Sequence, residues 1–319
     1  MSHFGLLLSV VSVVLSVSFS VVASDLSHEP IEPLPQVTPG DKRVVALGKR
    51  LFHERKLSRT NEVSCATCHP ISQGGADHLV TSIGINGKTG VINTPTVFNS
   101  HLNFRQFWDG RAKSLSQQMD GPLLNPIEMG NTWDNILATL HRDKTLVVEF
   151  NAAFRDGLTK GNIRASLVEY QRSLTTPDSP FDRWLRGDQS AISAEVKEGY
   201  RLFKVYGCSS CHQGRLAGAN LYQKMGIVED YFKDRGNITV ADYGLFNVTG
   251  KEDDRFVFKV PSLRNVALTS PYLHDGSQQS LAQVVTIMGY YQLGRNIPES
   301  DASKIVAFLH SLTGLQPDL

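Results

Sequence analysis

The stretch Cys65-Ala66-Thr67-Cys68-His69 decides the fold, and it returns as Cys208-Ser209-Ser210-Cys211-His212. A C-x-x-C-H run is typical of a covalent attachment site for haem c. The two thiols add to the haem vinyl groups, and the adjacent His binds the iron as its proximal ligand. The two runs contain all four cysteines of the chain.

The cysteine spacing by itself also allows other sites. Two C-x-x-C pairs could form one four-cysteine zinc site, and a single pair could be a redox-active dithiol. The His that directly follows each pair favours haem over both alternatives. We therefore predict two covalently bound haem c groups, with His69 and His212 as axial ligands.

Length and composition indicate an ordinary globular chain of about two domains. The protein has 319 residues, of which 41% are hydrophobic and 20% are charged, and this is enough to build two hydrophobic cores. The formal net charge is only +1, so the chain lacks the basic field that attracts nucleic acids. We expect no nucleic-acid partner.

The N-terminus carries an apolar, serine-dotted run over residues 4–23. Its small residues Val21 and Ala23 suit signal-peptidase cleavage, so we predict a signal peptide over 1–23 and export to the periplasm. No Lys or Arg precedes the run, and about 20 apolar residues can also span a bilayer, so a membrane anchor is the alternative. Residues 24–39, rich in proline and acids, indicate an extended leader.

An internal repeat indicates two related domains. Gly48-Lys49-Arg50-Leu51-Phe52 precedes the first haem run, and Gly199-Tyr200-Arg201-Leu202-Phe203 precedes the second. Each lies on a short helical pattern that leads into its C-x-x-C-H run, as expected of a small cytochrome c domain. We predict two such haem domains, arising by apparent duplication, over residues 40–177 and 178–319.

Helical periodicity dominates the rest of the chain, so the predicted fold is mostly α with long loops. Apolar residues recur at spacings of three and four over 162–174. Ser300 is predicted to cap a helix that runs to Leu312, with Gly314 as its stop. The clearest strand signal is Phe256-Val257-Phe258. Two glycine-rich and asparagine-rich loops are expected to wrap the haem edges, at 71–104 and 213–255.

Motifs spread from about residue 40 to the C-terminus resemble those of the bacterial di-haem cytochrome c peroxidases. They are found in both halves of the chain, and several are specific in combination. The motifs are Gly74-Gly75-Ala76-Asp77, Ser82-Ile83-Gly84, Asn93-Thr94-Pro95-Thr96-Val97-Phe98-Asn99, Gln106-Phe107-Trp108-Asp109-Gly110-Arg111, Asn125-Pro126-Ile127-Glu128-Met129, Val260-Pro261-Ser262-Leu263-Arg264-Asn265 and Pro271-Tyr272-Leu273-His274-Asp275-Gly276.

The resemblance implies a peroxidase that reduces hydrogen peroxide to water at the first haem. Glu128 matches the family's catalytic glutamate, which takes the peroxide proton and returns it to the departing oxygen, and Gln118 matches its active-site glutamine. Trp108 matches the tryptophan between the two haems and is expected to carry electrons. Met288, rather than Met225, matches the axial ligand that raises the potential of the second haem.

The resemblance also implies further groups and partners. His274 matches a residue near a haem edge or propionate, and Asn93, Thr269 and Pro271 match positions around a Ca2+ ion between the domains. The expected electron donor is a soluble cytochrome c or a blue-copper protein. Family members are commonly homodimers, and we expect the same here.

One position departs from the family. Many members carry a His, directly after Ser-Ile-Gly, that caps the first iron until the other haem is reduced, and here the residue is Ile85. Isoleucine has no lone pair, so we predict an open or water-ligated first haem that needs no reductive activation. The alternative is that His78 or His101 acts as the sixth ligand.

Two other functions stay open beside the peroxidase. A MauG-type enzyme uses similar haems to oxidise tryptophans of a partner protein, and the absent capping His favours it. That type has a Tyr as distal ligand of its second haem, so Met288 argues against it. A non-catalytic di-haem electron carrier would need neither Glu128 nor an open iron site.

Overall fold

The computed structural model describes residues 28–36 and 40–317, together with Met1 and Leu26. Apart from Met1, the predicted signal peptide or anchor lies outside these described residues, as does part of the predicted leader. In the part of the chain that is described, no helix is long and apolar enough to cross a membrane.

The described residues are mostly helical, which confirms the predicted fold class. Short 3-10 turns and irregular loops connect the regular elements. The helices are α1 (Lys42–Phe52), α2 (Cys65–Cys68), α3 (Leu115–Gln118), α4 (Asp120–Leu124), α5 (Trp133–Leu140), α6 (Lys144–Ala153), α7 (Lys160–Ser173), α8 (Pro180–Leu185), α9 (Ala194–Tyr206), α10 (Tyr231–Arg235), α11 (Phe246–Thr249), α12 (Leu281–Leu293) and α13 (Glu299–His310).

Two short strands form an antiparallel pair, β1 (Tyr222–Lys224) and β2 (Val257–Lys259). Tyr222 lies opposite Lys259, and Lys224 lies opposite Val257. The predicted strand at 256–258 is thus confirmed with a shift of one residue. β1 lies within the second predicted loop region and β2 follows directly after it, so the pairing brings the end of that region back towards the residues after the second haem run.

The last helix differs from its prediction at both ends. Helix α13 begins at Glu299 with Pro298 in the N-cap position, so Ser300 lies inside the first turn and does not cap it. Glu299 and Asp301 place carboxylates in that turn, where their negative charge interacts favourably with the positive end of the helix dipole. The helix ends at His310, two residues before the predicted end, and Gly314 is not its stop.

The glycine of each repeat allows two helices to touch at the backbone. A Cβ at Gly48 on α1 would overlap the carbonyl oxygen of Ser166 on α7 and approach Tyr170 Cβ at 2.6 Å. A Cβ at Gly199 on α9 would overlap the carbonyl oxygen of Lys304 on α13 in the same way. In each half, the helix that precedes the haem run therefore crosses the last helix of that half in the same close contact.

Each half of the chain has its own hydrophobic core. The first is built from residues 47–174 and is centred on the α1–α7 crossing, with Leu51, Ile163 and Phe150 fully buried. The second is built from residues 181–312 around the α9–α13 crossing, together with Ile31. The division into domains at residue 177 stays a prediction, although neither of these two cores takes residues from both sides of it beyond Ile31.

The described part of the predicted leader is extended, and it packs on the second half of the chain. Ile31 and Leu34 are buried at 1% and 2% exposure. The guanidinium of Arg264 donates to the carbonyl of Glu32 at 2.7 Å and forms a buried ion pair with Asp182. Asp182 also accepts from the Leu34 N–H at 3.3 Å. Residues 28–36 are therefore bound in place by buried polar contacts.

A small amide network joins the two halves. Asn99 and Asn265 both adopt a left-handed backbone conformation, with φ of 59° and 60°, and both donate to the Thr176 hydroxyl at 2.8 Å. Asn99 accepts from the Thr176 N–H at 2.9 Å, and Asn265 accepts from the Gly314 N–H at 3.1 Å. Equivalent residues of the two halves therefore meet at one buried hydroxyl.

We expect Gly48→Ala to destabilise the protein, because the new methyl group would force α1 away from α7. Overpacking of this kind costs about 1–3 kcal/mol of unfolding free energy. The matched control is Gly161→Ala, at an exposed position of α7 where a Cβ meets nothing closer than Thr159 Oγ1 at 3.8 Å. Thermal unfolding of both variants checks this. A Gly48→Ala midpoint at or above that of the control would contradict the crossing described here.

Candidate functional site

The two cysteine pairs line two separate cavities. The first, of about 760 Å³, is lined by Cys65, Cys68 and His69. The second, of about 280 Å³, is lined by the second haem run, Cys208–His212. Because each pair lies in its own cavity, the four thiols do not come together as a four-cysteine zinc site. The same prosthetic group in each would leave more free space in the first cavity.

The two histidines of the repeated runs are oriented alike. The Nδ1 of His69 lies 3.0 Å from the carbonyl oxygen of Gly75, and the Nδ1 of His212 lies 3.2 Å from that of Ala217. A carbonyl that accepts from Nδ1–H leaves the Nε2 lone pair for a metal. Burial lowers the pKa of His69 and lowers that of His212 to about 4. Both imidazoles are therefore neutral, as an iron ligand must be.

Local structure presents the first cysteine pair on a single turn. Ser64 precedes helix α2, and its N–H donates to the Thr67 hydroxyl at 2.9 Å. Burial raises the pKa of Cys65 to about 12 and that of Cys68 to about 11. These thiols are not the low-pKa thiolates of a redox dithiol. The cavity, the paired thiols and the neutral histidine together fit a covalently bound haem.

Glu128 lies in the first cavity, in the turn that follows α4. Its Oε1 accepts from the Asn125 amide at 2.6 Å. The carbonyl of Glu128 accepts from the Ile85 N–H at 2.8 Å, and a Cβ at Gly84 would come within 2.8 Å of Glu128 Cα. Burial raises the pKa of Glu128, while the Asn125 hydrogen bond and the Arg111 charge oppose part of that rise. The Glu128 carboxyl is thus held at the cavity by one hydrogen bond, and its catalytic role stays a prediction.

Two further polar side chains line the first cavity, Gln118 from α3 and Arg111 from the preceding loop. The Arg111 guanidinium pairs with Asp109 at 2.7 Å and lies 3.5 Å above the Phe107 ring. The sequence predicts Gln118 at this site, whereas it assigns no role to Arg111, which is only part of a motif. The signal that pointed to Arg111 was its motif, because an exposed Arg has no distinctive pattern of its own.

Ile85, at the position where many members of the resembled family have a capping His, packs into the core. Ile85 is 4% exposed, and its side chain reaches the space beside Gly130 that a Cβ would fill. Its side chain is not part of the first cavity's lining. His78 has Nδ1 and Nε2 at 2.9 Å and 3.0 Å from the carbonyls of Ser270 and Gln73. Neither His78 nor His101 lines the first cavity, so neither is placed as a sixth ligand here.

A shared wall separates the two cavities. Trp108 lines the second cavity, directly after Phe107, which lines both. The Trp108 Nε1–H donates to the carbonyl of Asn93 at 2.9 Å, and Asn93 itself borders both cavities. The residues common to both linings are Asn93, Thr94, Pro95, Thr96, Gln106, Phe107 and Phe258. Trp108 therefore lies at the boundary where the prediction expected it.

Both candidate methionines line the second cavity, Met288 from α12 and Met225 from the loop after β1. Each packs beside a small aromatic cluster that includes Tyr231, Phe232 and Phe258. The structure thus brings Met288 into the same cavity as His212, without setting Met225 apart from it. The choice of Met288 as ligand stays a prediction.

His274 belongs to a buried polar cluster that sequence reasoning missed. Its Nε2 lies 2.6 Å from Asp242 Oδ1, and its ring lies 4.6 Å from that of Phe258 at the second cavity. Arg235 pairs with Asp242 and Asp275, both at 2.7 Å. Asp242 is 32 residues before His274, and no local pattern marks it as a partner.

The predicted calcium residues come together at the second cavity. Asn93, Thr269 and Pro271 all line it. The Asn93 amide nitrogen donates to the carbonyls of Leu79 and Val80 at 3.0 Å and 3.3 Å. An amide oxygen is a ligand type that Ca2+ accepts, and the calcium site stays a prediction.

Comparison with known proteins places these features in a family. A family model described as "Di-haem cytochrome c peroxidase" matches residues 42–190. The chain is 47% identical over 294 residues to cytochrome c peroxidase Ccp of Escherichia coli (strain K12), spanning 92% of this chain but 63% of that protein's length.

Two further similarities cover nearly whole chains. Cytochrome c551 peroxidase of Nitrosomonas europaea is 43% identical over 317 residues, which span 98% of this chain and 92% of that protein. The crystal structure of a MauG-like protein associated with microbial copper homeostasis superposes with a TM-score of 0.77 at 26% identity. That superposition covers 89% of this chain and 93% of the other.

We expect Asp242→Asn to destabilise the protein at neutral pH, because it leaves Arg235 beside a neutral amide. Burial acts to raise the pKa of Asp242, but hydrogen bonds from His274, Arg235 and Thr239 outweigh it and hold that pKa well below its usual range. The ionised carboxylate therefore stabilises the fold above pH 4, and this contribution fades as the pH falls below that value.

Denaturant unfolding from pH 7 down to pH 3 measures this effect. Breaking a buried pair costs about 3 kcal/mol or more, so the gap between wild type and Asp242→Asn should be widest at pH 7 and should narrow below pH 4. Asp253→Asn, at an exposed position, is the matched control and should change stability by about 0.5 kcal/mol or less. A gap that is small at pH 7, or that widens in acid, would reject the assignment.

Proposed function

The chain belongs to the di-haem cytochrome c peroxidase family, and we propose that it reduces hydrogen peroxide to water with electrons from a small donor protein. One peroxide, two electrons and two protons give two water molecules. The observation that supports this proposal most is the half-buried Glu128 carboxyl in the same cavity as His69 and the first cysteine pair. A plain electron carrier needs no proton-transfer group there.

We propose that each cavity takes one haem c through its own pair of cysteines. When bound, haem supplies the redox chemistry that the side chains lack. His69 would hold the first iron through Nε2, and His212 and Met288 would hold the second. The Gly75 and Ala217 carbonyls support this because they fix the orientation of each imidazole.

Within this proposal, Glu128 moves one proton between the two oxygens of peroxide. Its burial raises the pKa, which brings the carboxyl closer to the operating pH and makes proton return easier. The Asn125 amide holds Oε1, while Gln118 and the Arg111 guanidinium supply donors on the same cavity wall. These donors would orient the peroxide and stabilise negative charge on the departing oxygen.

We propose that the first site is open without prior reduction of the second. Ile85 offers no ligand atom, and its side chain packs beside Gly130 in the core. The ring nitrogens of His78 already face two backbone carbonyls.

The proposed electron route starts at the second cavity and crosses the shared wall by Trp108. The donor would be a soluble cytochrome c or a blue-copper protein in the periplasm. A Ca2+ ion held by Asn93, Thr269 and Pro271 would stiffen the wall between the cavities, and a homodimer is the proposed assembly. The amide network at Thr176 supports a fixed arrangement of the two halves.

We expect Glu128→Gln to lower kcat/KM for hydrogen peroxide by about 10²-fold or more, because general acid–base catalysis contributes about that much. Gln keeps an acceptor for Asn125, so the turn should stay in place. Steady-state peroxide turnover with a reduced cytochrome c checks this, and Glu195→Gln at an exposed position of α9 is the matched control. Unchanged turnover in Glu128→Gln would reject the proposed mechanism.

The same assay separates the rival functions. A MauG-type enzyme would oxidise tryptophans of a partner protein and show little turnover with a reduced cytochrome, and a carrier would show none. The presence of Met288 in the second cavity, instead of the tyrosine ligand expected of the MauG type, favours the peroxidase.

A further inference from the structure

Lys259 is a buried cation without a protein counter-ion. It is the last residue of β2, only 7% exposed, and it lines the second cavity. Its backbone N–H donates to the Trp108 carbonyl at 2.8 Å, which holds the strand against the wall between the cavities. Within the described part of the chain, no carboxylate forms an ion pair with its Nζ. Burial alone lowers its pKa to about 8.

Two other cations packed into this half are paired, the buried Arg264 and the half-buried Arg235. Arg264, which also borders the second cavity, forms an ion pair with Asp182 at 2.7 Å. Arg235 is held by Asp242 and Asp275. A buried charge is normally retained only when it is paired, so a lone lysine on a cofactor cavity indicates that the missing anion belongs to the ligand.

Haem carries two propionates, and they are the anions that the second cavity would receive. Resting on the haem assignment proposed above, we propose that Lys259 is the counter-ion of a propionate of the second haem and that its charge raises this haem's reduction potential. The sign follows from electrostatics, because one-electron reduction removes a positive charge from the iron centre. A nearby cation therefore favours the reduced form.

The neighbours of Lys259 place it near the wall between the two cavities. Phe258, the preceding residue, lines both cavities, and Trp108 is hydrogen-bonded to Lys259 through its backbone. The backbone of Lys259 thus lies beside residues that separate the two cavities, while Lys259 itself lines only the second. Lys259 is a positioning residue for electron storage at that haem, and it does not touch the peroxide.

Reduction potentials of both haems in the holoprotein test the proposal, by spectroelectrochemical titration of Lys259→Met and Lys259→Arg. We expect Lys259→Met to lower the equilibrium constant for one-electron reduction of the second haem at least tenfold. This corresponds to a reduction potential about 59 mV lower. Lys259→Arg should keep the equilibrium constant within about threefold of wild type. Lys224→Met removes the same charge from an exposed position on β1, outside the cavity lining, and should change neither potential.

An unchanged second-haem potential in Lys259→Met, or a shift confined to the first haem, would overturn the proposal. An equal shift in Lys224→Met would also overturn it, because the effect would then be one of net charge. Lys259→Gln replaces Lys259→Met if that variant does not accumulate. The potentials do not depend on turnover, so a protein with the expected shift but without peroxidase activity rejects the proposed function and leaves the counter-ion in place.

Discussion

The backbone contact between the helix that precedes each haem run and the last helix of the same half is the constraint on which the rest of the structure depends. Gly48 lets α1 touch α7, and Gly199 lets α9 touch α13. The same repeat then places an aromatic ring in each cavity, since Phe52 lines the first and Phe203 lines the second. One five-residue motif therefore sets both a helix crossing and a cavity wall, and its recurrence explains why the two cavities are built alike.

The two cavities differ where loops, not helices, complete them. In the first, the Gly84–Ile85 backbone packs on the turn that contains Glu128, the proposed proton-transfer residue. In the second, α12 contributes Met288 and β2 contributes Lys259. The amide network at Thr176 joins the two halves and so holds these two different sites in a fixed arrangement. The repeated helix crossing accounts for what the two cavities share, and the loops account for the differences on which the proposed reactive and electron-storage roles rest.

Much of this could be predicted from local patterns. The C-x-x-C-H runs, the G-x-R-L-F repeat and the mostly α fold depend on short spacings, and the comparisons confirm the resemblance to the family. Contacts distant in sequence could not be predicted, such as Asp242 with His274 or Arg264 with Glu32. The N-cap at Pro298 was missed because Ser300 has the stronger intrinsic capping preference. Lys259 was missed because burial of a lysine leaves no mark in the sequence.

The state of the first site in the fully oxidised protein tests the central claim most directly. Electron paramagnetic resonance of the all-ferric holoprotein distinguishes an open or water-ligated haem from one capped by a second histidine. With Ile85 in the core and His78 held by two carbonyls, the account predicts a high-spin signal from the haem bound at His69. A low-spin signal typical of two histidine ligands at that haem would contradict it.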